Sequence, residues 1–553
     1  MLTRGPWQPI DRHMRSRSDR GVVFVLALVV AGCGRAPATS GRAATAPAAP
    51  RVGATMSEEV RTQLLSGAID VLGKLDDYDE GAATAQVFDR LNQWSHAVGL
   101  DAAPPDWRPD ALVGTISAPL ADEATLRGLG SGSFDAGTDI VTLRDQRWLA
   151  DVAATARRDA VGDLEVARNL FDWTCRTLAI TTDPPAVPTE ATPGSRWFLP
   201  GEILLAGRAS APQRMWVFLE LLRHAALDGV VLATGDASTG QLRPWAVAVI
   251  AGGEAYVFDP LYGLAVPGPG GTGVATARQA AADPSILASL SLPDRPYPVQ
   301  ADDIERLTVL VPAAPWNLAR RMARIDAELV GTRRLNLSID ASALAQRAAA
   351  ALPGGAATQG GRLWEFPWVS IARRRGATGQ AVMAALGTEL GPLSMALTQS
   401  GGPGATDKLV RPLFNARLRE FRGDIEGPDG AKSAYLLARP STATINAGVT
   451  GLPPEQADVV KRSYERLKEA ATYFLGVLTL GERDYETAVD YLGRMTLEEH
   501  PDGIWADPAR INLARAKQAL GQPAEAAALL RADTSPQRFG SRIVADRIDR
   551  LQP

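Results

Sequence analysis

Residues 210–224 read Ser210-Ala211-Pro212-Gln213-Arg214-Met215-Trp216-Val217-Phe218-Leu219-Glu220-Leu221-Leu222-Arg223-His224. Proline suits the first turn of a helix, where its missing N–H would have no partner in any case. The stretch therefore predicts a helix over 212–228 that opens at Pro212. Three strand-like runs follow, Gly229–Thr234, Trp245–Ala251 and Ala255–Asp259. A helix followed by consecutive strands, without strict alternation, predicts an α+β unit.

Working outward, Val60, Leu64, Leu65, Ile69, Leu72 and Leu75 recur at helical spacing, so 57–100 is expected to be helical. Asp101–Pro109 is a Pro-rich break, Gly128–Ser133 reads as a flexible loop, and 147–180 as mostly helix. Further on, Leu307–Val311 and Leu335–Ile339 read as strands, and Trp316–Leu329 and Ala341–Leu352 as helices. Residues 353–362 form a Gly-rich linker. Gly268–Gly273 fits Gly-x-Gly-x-x-Gly, but a dinucleotide loop must leave its strand directly and open a helix. Pro260 and Pro267 intervene after Asp259, so this stretch reads as a surface loop ahead of a helix from Val274. Arg320, Arg321 and Arg324 read as a solvated basic face.

Within 165–263 the order is Phe171-Asp172-Trp173, Leu221-Leu222-Arg223, a Gly-Val-Val strand, Pro244-Trp245 and Phe258-Asp259-Pro260. This set resembles the transglutaminase-like domain, a papain-like cysteine fold. That family places Cys at the start of the central helix, His just before Ala-Trp on the next strand, and Asp in a Val-Asp-Pro turn. A helix N-terminus lowers the thiol pKa, His takes its proton and Asp orients the His. Here Ser210-Ala211-Pro212-Gln213 holds no cysteine and Arg243-Pro244 holds no histidine; Asp259 alone matches. The resemblance thus implies a domain that has lost nucleophile and base, with Asp259 the remnant of the triad. No catalytic, cofactor or metal residue is assigned. The alternative is a peptidase or amide-transfer enzyme using a non-standard nucleophile near Asp259, Ser210 being the first candidate.

The simpler readings of these residues are physical. Ser210 serves as an N-cap, Cys175 as a small apolar packing residue, and Asp259 as a turn former before Pro. His224 sits at a helix C-terminus, where a charged ring favours the dipole. His96 and His500 lie in distant segments with no partner motif.

The last hundred residues repeat. Leu475-Gly476, Ala488 and Leu492 have partners 38 residues on, at Leu513-Ala514, Ala526 and Leu530. With Gly481 and Gly521 at the expected inter-helix turns, the segment resembles tetratricopeptide repeats, whose usual period is about 34. The loop Glu498–Pro508 accommodates the surplus. Two repeats are marginal alone, so helices upstream, at 455–471, are expected to complete the stack.

At the other end, the apolar run Gly21–Gly32 is too short to cross a bilayer comfortably. Arg12, Arg15, Arg17 and Arg20 precede it, the pattern of an export signal, and Met14 is a second candidate start. Val30-Ala31-Gly32-Cys33 resembles the lipobox of bacterial lipoproteins, in which the signal is cut before the cysteine and that thiol is lipidated. The resemblance implies lipidation at Cys33 and an exported protein anchored to the cell envelope, facing the periplasm where an outer membrane exists. Residues 34–55, rich in Ala, Pro, Gly, Thr and Ser, read as a tether. Removing 1–32 moves the net charge from −4 to −7, so lipid, not a basic patch, would hold the chain to a membrane.

Composition limits the rest. The 553 residues are 46% hydrophobic and 22% charged, ordinary for a globular protein of several domains. A net charge of −4 argues against a nucleic-acid protein. Two cysteines exclude a disulfide framework and a Cys-rich zinc site. The expected fold is α+β and multidomain: signal 1–32, tether 33–56, helical region 57–150, transglutaminase-like core 151–290, mixed α/β region 300–440 and all-α repeats 455–553. The expected function is a lipid-anchored envelope scaffold. Its repeats would hold protein partners, its inactive core would keep a cleft for a peptide or glycan strand, and it would need no cofactor.

Overall fold

A six-stranded sheet carries buried apolar side chains on both of its faces. The computed structural model describes residues 56–101, 103–182, 199–236, 241–355, 361–376, 387, 390–399 and 408–551. The signal 1–32, Cys33 and the tether up to residue 55 lie outside the described residues. Two short strands, β1 (Ala179–Ile180) and β2 (Arg208–Ala209), pair in parallel. The main strands are β3 (Asp228–Asp236), β4 (Gln241–Ala251), β5 (Glu254–Asp259), β6 (Leu264–Ala265), β7 (Thr308–Val311) and β8 (Arg362–Leu363). Their order is β6-β5-β4-β3-β7-β8, antiparallel except for the β7–β8 pair.

Alternation along a strand sends neighbouring side chains to opposite faces. Val231, Ala233, Val247, Val249 and Phe258 join the apolar cluster around the central helix, Ala211–His224. Val230, Leu232, Ala246, Ala248 and Val257 join a second cluster that includes Leu344 and Ala348 of the helix Ala341–Ala351. Burial on both faces explains why these strands read as unbroken apolar runs. The central helix is fixed by aromatics: Phe171, Phe218 and Phe258 meet with ring centroids 5.1–5.6 Å apart, and Trp216 stacks on Trp316.

The sheet takes strands from both sides of residues 290–300, because β7 pairs with β3 at Val231–Ala233. The N-terminal region is helical, Glu58–Leu72 and Glu80–Ala97, with Ser57 and Asp79 as N-caps.

Several local expectations are corrected. Leu335–Ile339 forms no strand: Asn317 donates to the Leu337 carbonyl and accepts from the Ile339 N–H through its own carbonyl, so the ladder groups are taken locally. Gly128 and Gly130 belong to the helix Glu123–Gly130, held by the Asp122 N-cap. The helix expected from Val274 begins at Ala277, capped by Thr276. Arg321 is no solvated residue; it grips the buried carboxylate of Asp139 with two bonds of 2.7 and 2.9 Å. Arg320 donates to the Leu100 carbonyl and Arg324 pairs with Glu328.

The C-terminal region is all helix: Pro454–Gly481, Tyr485–Val489 continuing as a π-helix through Asp490–Glu498, Ala506–Ala519, Pro523–Arg531 and Arg538–Arg550. Residues 455–471 are not separate upstream helices but the first half of Pro454–Gly481, since no breaker interrupts them. Gly481 ends that helix, and the left-handed turn residue is Arg483 (φ 69°). Among the described residues, no helix is long and apolar enough to cross a membrane.

Candidate functional site

Ser210 stands at the N-terminus of the central helix, and the turn after Asp259 is tied to that helix through Arg214. Ser210 occupies the N-cap and its N–H donates to Gln213 Oε1 at 3.0 Å. Asp259 ends β5 and is 2% exposed. Its Oδ1 accepts the N–H groups of Leu261 and Tyr262, both at 2.9 Å, which is the Asx turn expected of Asp before Pro. Its Oδ2 accepts the Tyr297 hydroxyl at 2.7 Å. Tyr297 in turn accepts from Trp245 Nε1 at 2.8 Å.

Trp245 reaches Tyr297 because β4 bulges beside it. Leu232 pairs with Ala246 and Ala233 with Pro244, which leaves Trp245 as the extra residue. Proline has no N–H for a ladder and is tolerated at such a bulge.

Burial pushes the Asp259 carboxyl up to about 6, against the lowering pull of the Tyr262 N–H, the Tyr297 hydroxyl and the Leu261 N–H. An acid so placed orients a turn. Its hydrogen bonds come from two backbone amides and a phenol, with no His, Ser or Cys side chain among them.

Arg214 stands one residue beyond Gln213, and sequence reasoning missed it. It is buried, donating to the carbonyls of Leu178 and Pro260 at 2.5 and 2.9 Å and to Gln537 Oε1 at 2.6 Å. One guanidinium thus ties the central helix to the end of the helix Asp163–Thr177, the Asp259 turn and the C-terminal segment. A charged residue in the first turn of a largely apolar helix was the available signal. Tyr297 and Gln537 were missed for a different reason, being remote in sequence and without a motif.

Of the remaining candidates, Cys175 shares a small crevice with Arg214, and the histidines lie elsewhere. Cys175 is buried in the last turn of the helix Asp163–Thr177, and burial pushes its thiol pKa up. His224 is a correction: its Nε2 lies 2.9 Å from Gln146 Oε1, and burial drives its pKa well below the ordinary value. The ring is neutral at pH 7 and offers the helix dipole no charge. His96 pairs with Asp101 at the surface, and His500 lies 3.4 Å from Glu469. Among the described residues, no group of three His, Cys, Asp or Glu is arranged to hold a metal ion.

The expected open cleft above Asp259 is also corrected, because the chain covers it. The helix Arg538–Arg550 begins over the turn after Asp259. A Cβ added to Gly540 would lie 1.9 Å from the Tyr262 carbonyl oxygen, so only glycine permits this approach. Phe539 lies against Tyr262, the Arg295 guanidinium sits over the Phe539 ring, and Arg542 grips Asp294 with bonds of 2.8 and 2.9 Å.

The repeat helices pack as their small residues require. A Cβ on Gly476 would meet Leu492 Cγ at 2.8 Å. Ala488, Ala514 and Ala526 are buried at the corresponding crossings. Tyr473 stacks on Trp505 with centroids 4.5 Å apart. Asn512 donates to the Arg176 carbonyl at 2.9 Å and Arg515 pairs with Asp172 at 2.8 Å, so the repeats are seated on the helix Asp163–Thr177.

A family model for the tetratricopeptide repeat matches residues 479–542. No curated protein and no solved structure matches the chain. The protein is of mixed α/β class with a helical C-terminal region. That region carries tetratricopeptide repeat sequence, of a kind that generally mediates contacts between proteins.

Proposed function

We propose that this protein is a lipid-anchored scaffold of the bacterial cell envelope, in which a catalytically inactive transglutaminase-like core carries a repeat module for protein partners. The observation that carries the reading is the repeat match at 479–542, on helices that cross through small residues. The Val30–Cys33 pattern supports the anchor. The loss of Cys and His from the positions that the resemblance implies supports inactivity, as does an Asp259 whose oxygens hold a turn. Within this proposal 151–290 is the transglutaminase-like core, 300–440 completes its sheet, and 455–553 is the repeat module.

The test places a photo-crosslinking residue at Glu486 or Glu525, both exposed on the second helix of a repeat, and at Glu58 in the N-terminal helix as control. The reading expects one discrete protein adduct from the repeat positions and none from Glu58. Equal adducts from all three, or none, would remove the repeats as the partner surface. In the same cells, Cys33→Ser is expected to move the protein from the membrane to the soluble fraction.

A further inference from the structure

The C-terminal segment has a small apolar core of its own. Ala526, Ala527, Leu530, Ala545 and Ile548 cluster apart from the two large clusters of the protein. Ala509, Leu513, Ala516 and Ile543 join those neighbouring clusters, and between these apolar contacts the seam is made by polar groups. These are Gln537 on Arg214, Asn512 on the Arg176 carbonyl, Arg515 on Asp172 and Arg542 on Asp294. A unit with its own core, joined to the rest through a seam that is part apolar and part polar, can open as a body at less cost than global unfolding.

What the seam covers is specific. It lies over the N-terminus of the central helix and the Asp259 turn. A small crevice there is bounded by Cys175 and Arg214 from the core and by Ile511, Asn512, Ser535 and Gln537 from the C-terminal segment.

We propose that residues 506–551 are a lid, closed in this structure, whose opening exposes the Cys175–Arg214–Asp259 end of the central helix. Arg214 is the latch on the core side and Gln537 its counterpart on the lid. The Arg542–Asp294 pair, at the solvent edge, tunes the closure. A partner that binds the repeats more tightly in the open arrangement would shift the population toward it. The inference does not depend on the envelope reading or on the identity of any partner.

Cys175 reports on the opening. The chain has two cysteines, so full-length protein carrying Cys33→Ser has one thiol. Its alkylation by iodoacetamide is followed under native conditions. Arg542→Glu, which sets two carboxylates face to face, is expected to raise the rate about 2- to 5-fold. Adding Asp294→Arg restores the pair and is expected to return the rate to the parent value. Arg333→Glu, which breaks the exposed pair with Asp70 elsewhere, is expected to leave it unchanged. The urea dependence of labelling is expected to be shallower than that of global unfolding, since opening exposes less surface. A rate insensitive to Arg542→Glu would overturn the proposal. So would labelling that follows global unfolding in every variant, or an Arg542→Glu protein that fails to fold, for the segment would then be integral to the core.

Discussion

The Tyr297 hydroxyl donates to Asp259 Oδ2 at 2.7 Å while accepting the Trp245 indole N–H at 2.8 Å, joining a strand bulge, a strand end and a distant loop in one buried chain of hydrogen bonds. Under the transglutaminase-like resemblance, a histidine would stand between Asp259 and a nucleophile. Here a phenol bonds the acid and an indole bonds the phenol.

Tyr297→Phe removes the hydroxyl from both neighbours. Asp259 Oδ2 and Trp245 Nε1 are left buried without this partner, at a cost of about 1–3 kcal/mol for each such group. Equilibrium urea unfolding is expected to show a lower midpoint with an unchanged slope. A variant as stable as the parent would mean that water replaces the hydroxyl.

Asp259 also sets a pH dependence. Its ordinary value of 3.8 is raised to about 6 by burial, so the folded protein holds the proton more tightly than the unfolded chain. The stabilisation from this group is fully present below pH 3.8 and is lost as pH rises through about 6. Asp259→Asn keeps the shape without the titration. The stability of the parent minus that of the variant is expected to fall between pH 4 and 7, by at most about 1.4 kcal/mol per pH unit. Asp151, also raised to about 6 by burial, titrates in both proteins and cancels in the difference. A flat difference would contradict the assignment.

Gly476 tests the repeat packing. Gly476→Ala drives a methyl to within 2.8–3.0 Å of Leu492 and Tyr491, and overpacking of this kind costs about 1–3 kcal/mol. Hydrogen exchange is expected to quicken at 476–498 while 57–100 stays protected. No change would mean that the two helices can separate without loss.

The Arg321–Asp139 pair is a buried ion pair, with side chains 13% and 4% exposed. Arg321→Met strands the Asp139 carboxylate and is expected to cost about 3–5 kcal/mol. The double variant Arg321→Met with Asp139→Leu is expected to recover much of that loss, because the desolvated charge goes with its partner. Equal losses in the single and double variants would place the cost in packing instead of charge.

Periodicity and composition alone carried much of the architecture. The central helix, β3, β4, β5 and β7 stand within a few residues of their expected places, because a side chain buried on a helix or strand leaves a local pattern in sequence. The repeat was legible for the same reason: a Gly or Ala where two helices cross recurs at a fixed interval. Tertiary structure decided what no local pattern encodes. Arg214, Tyr297 and Gln537 are an arginine, a tyrosine and a glutamine without a motif, and their roles exist only because residues tens to hundreds of positions apart are brought within hydrogen-bond distance. Leu335–Ile339 has the composition of a strand but finds its hydrogen bonds on Asn317. The fate of Asp259 followed the same rule. Its sequence neighbours made it a turn residue, but the Tyr297 hydroxyl and a C-terminal helix nearly three hundred residues away determined that it is bonded and covered.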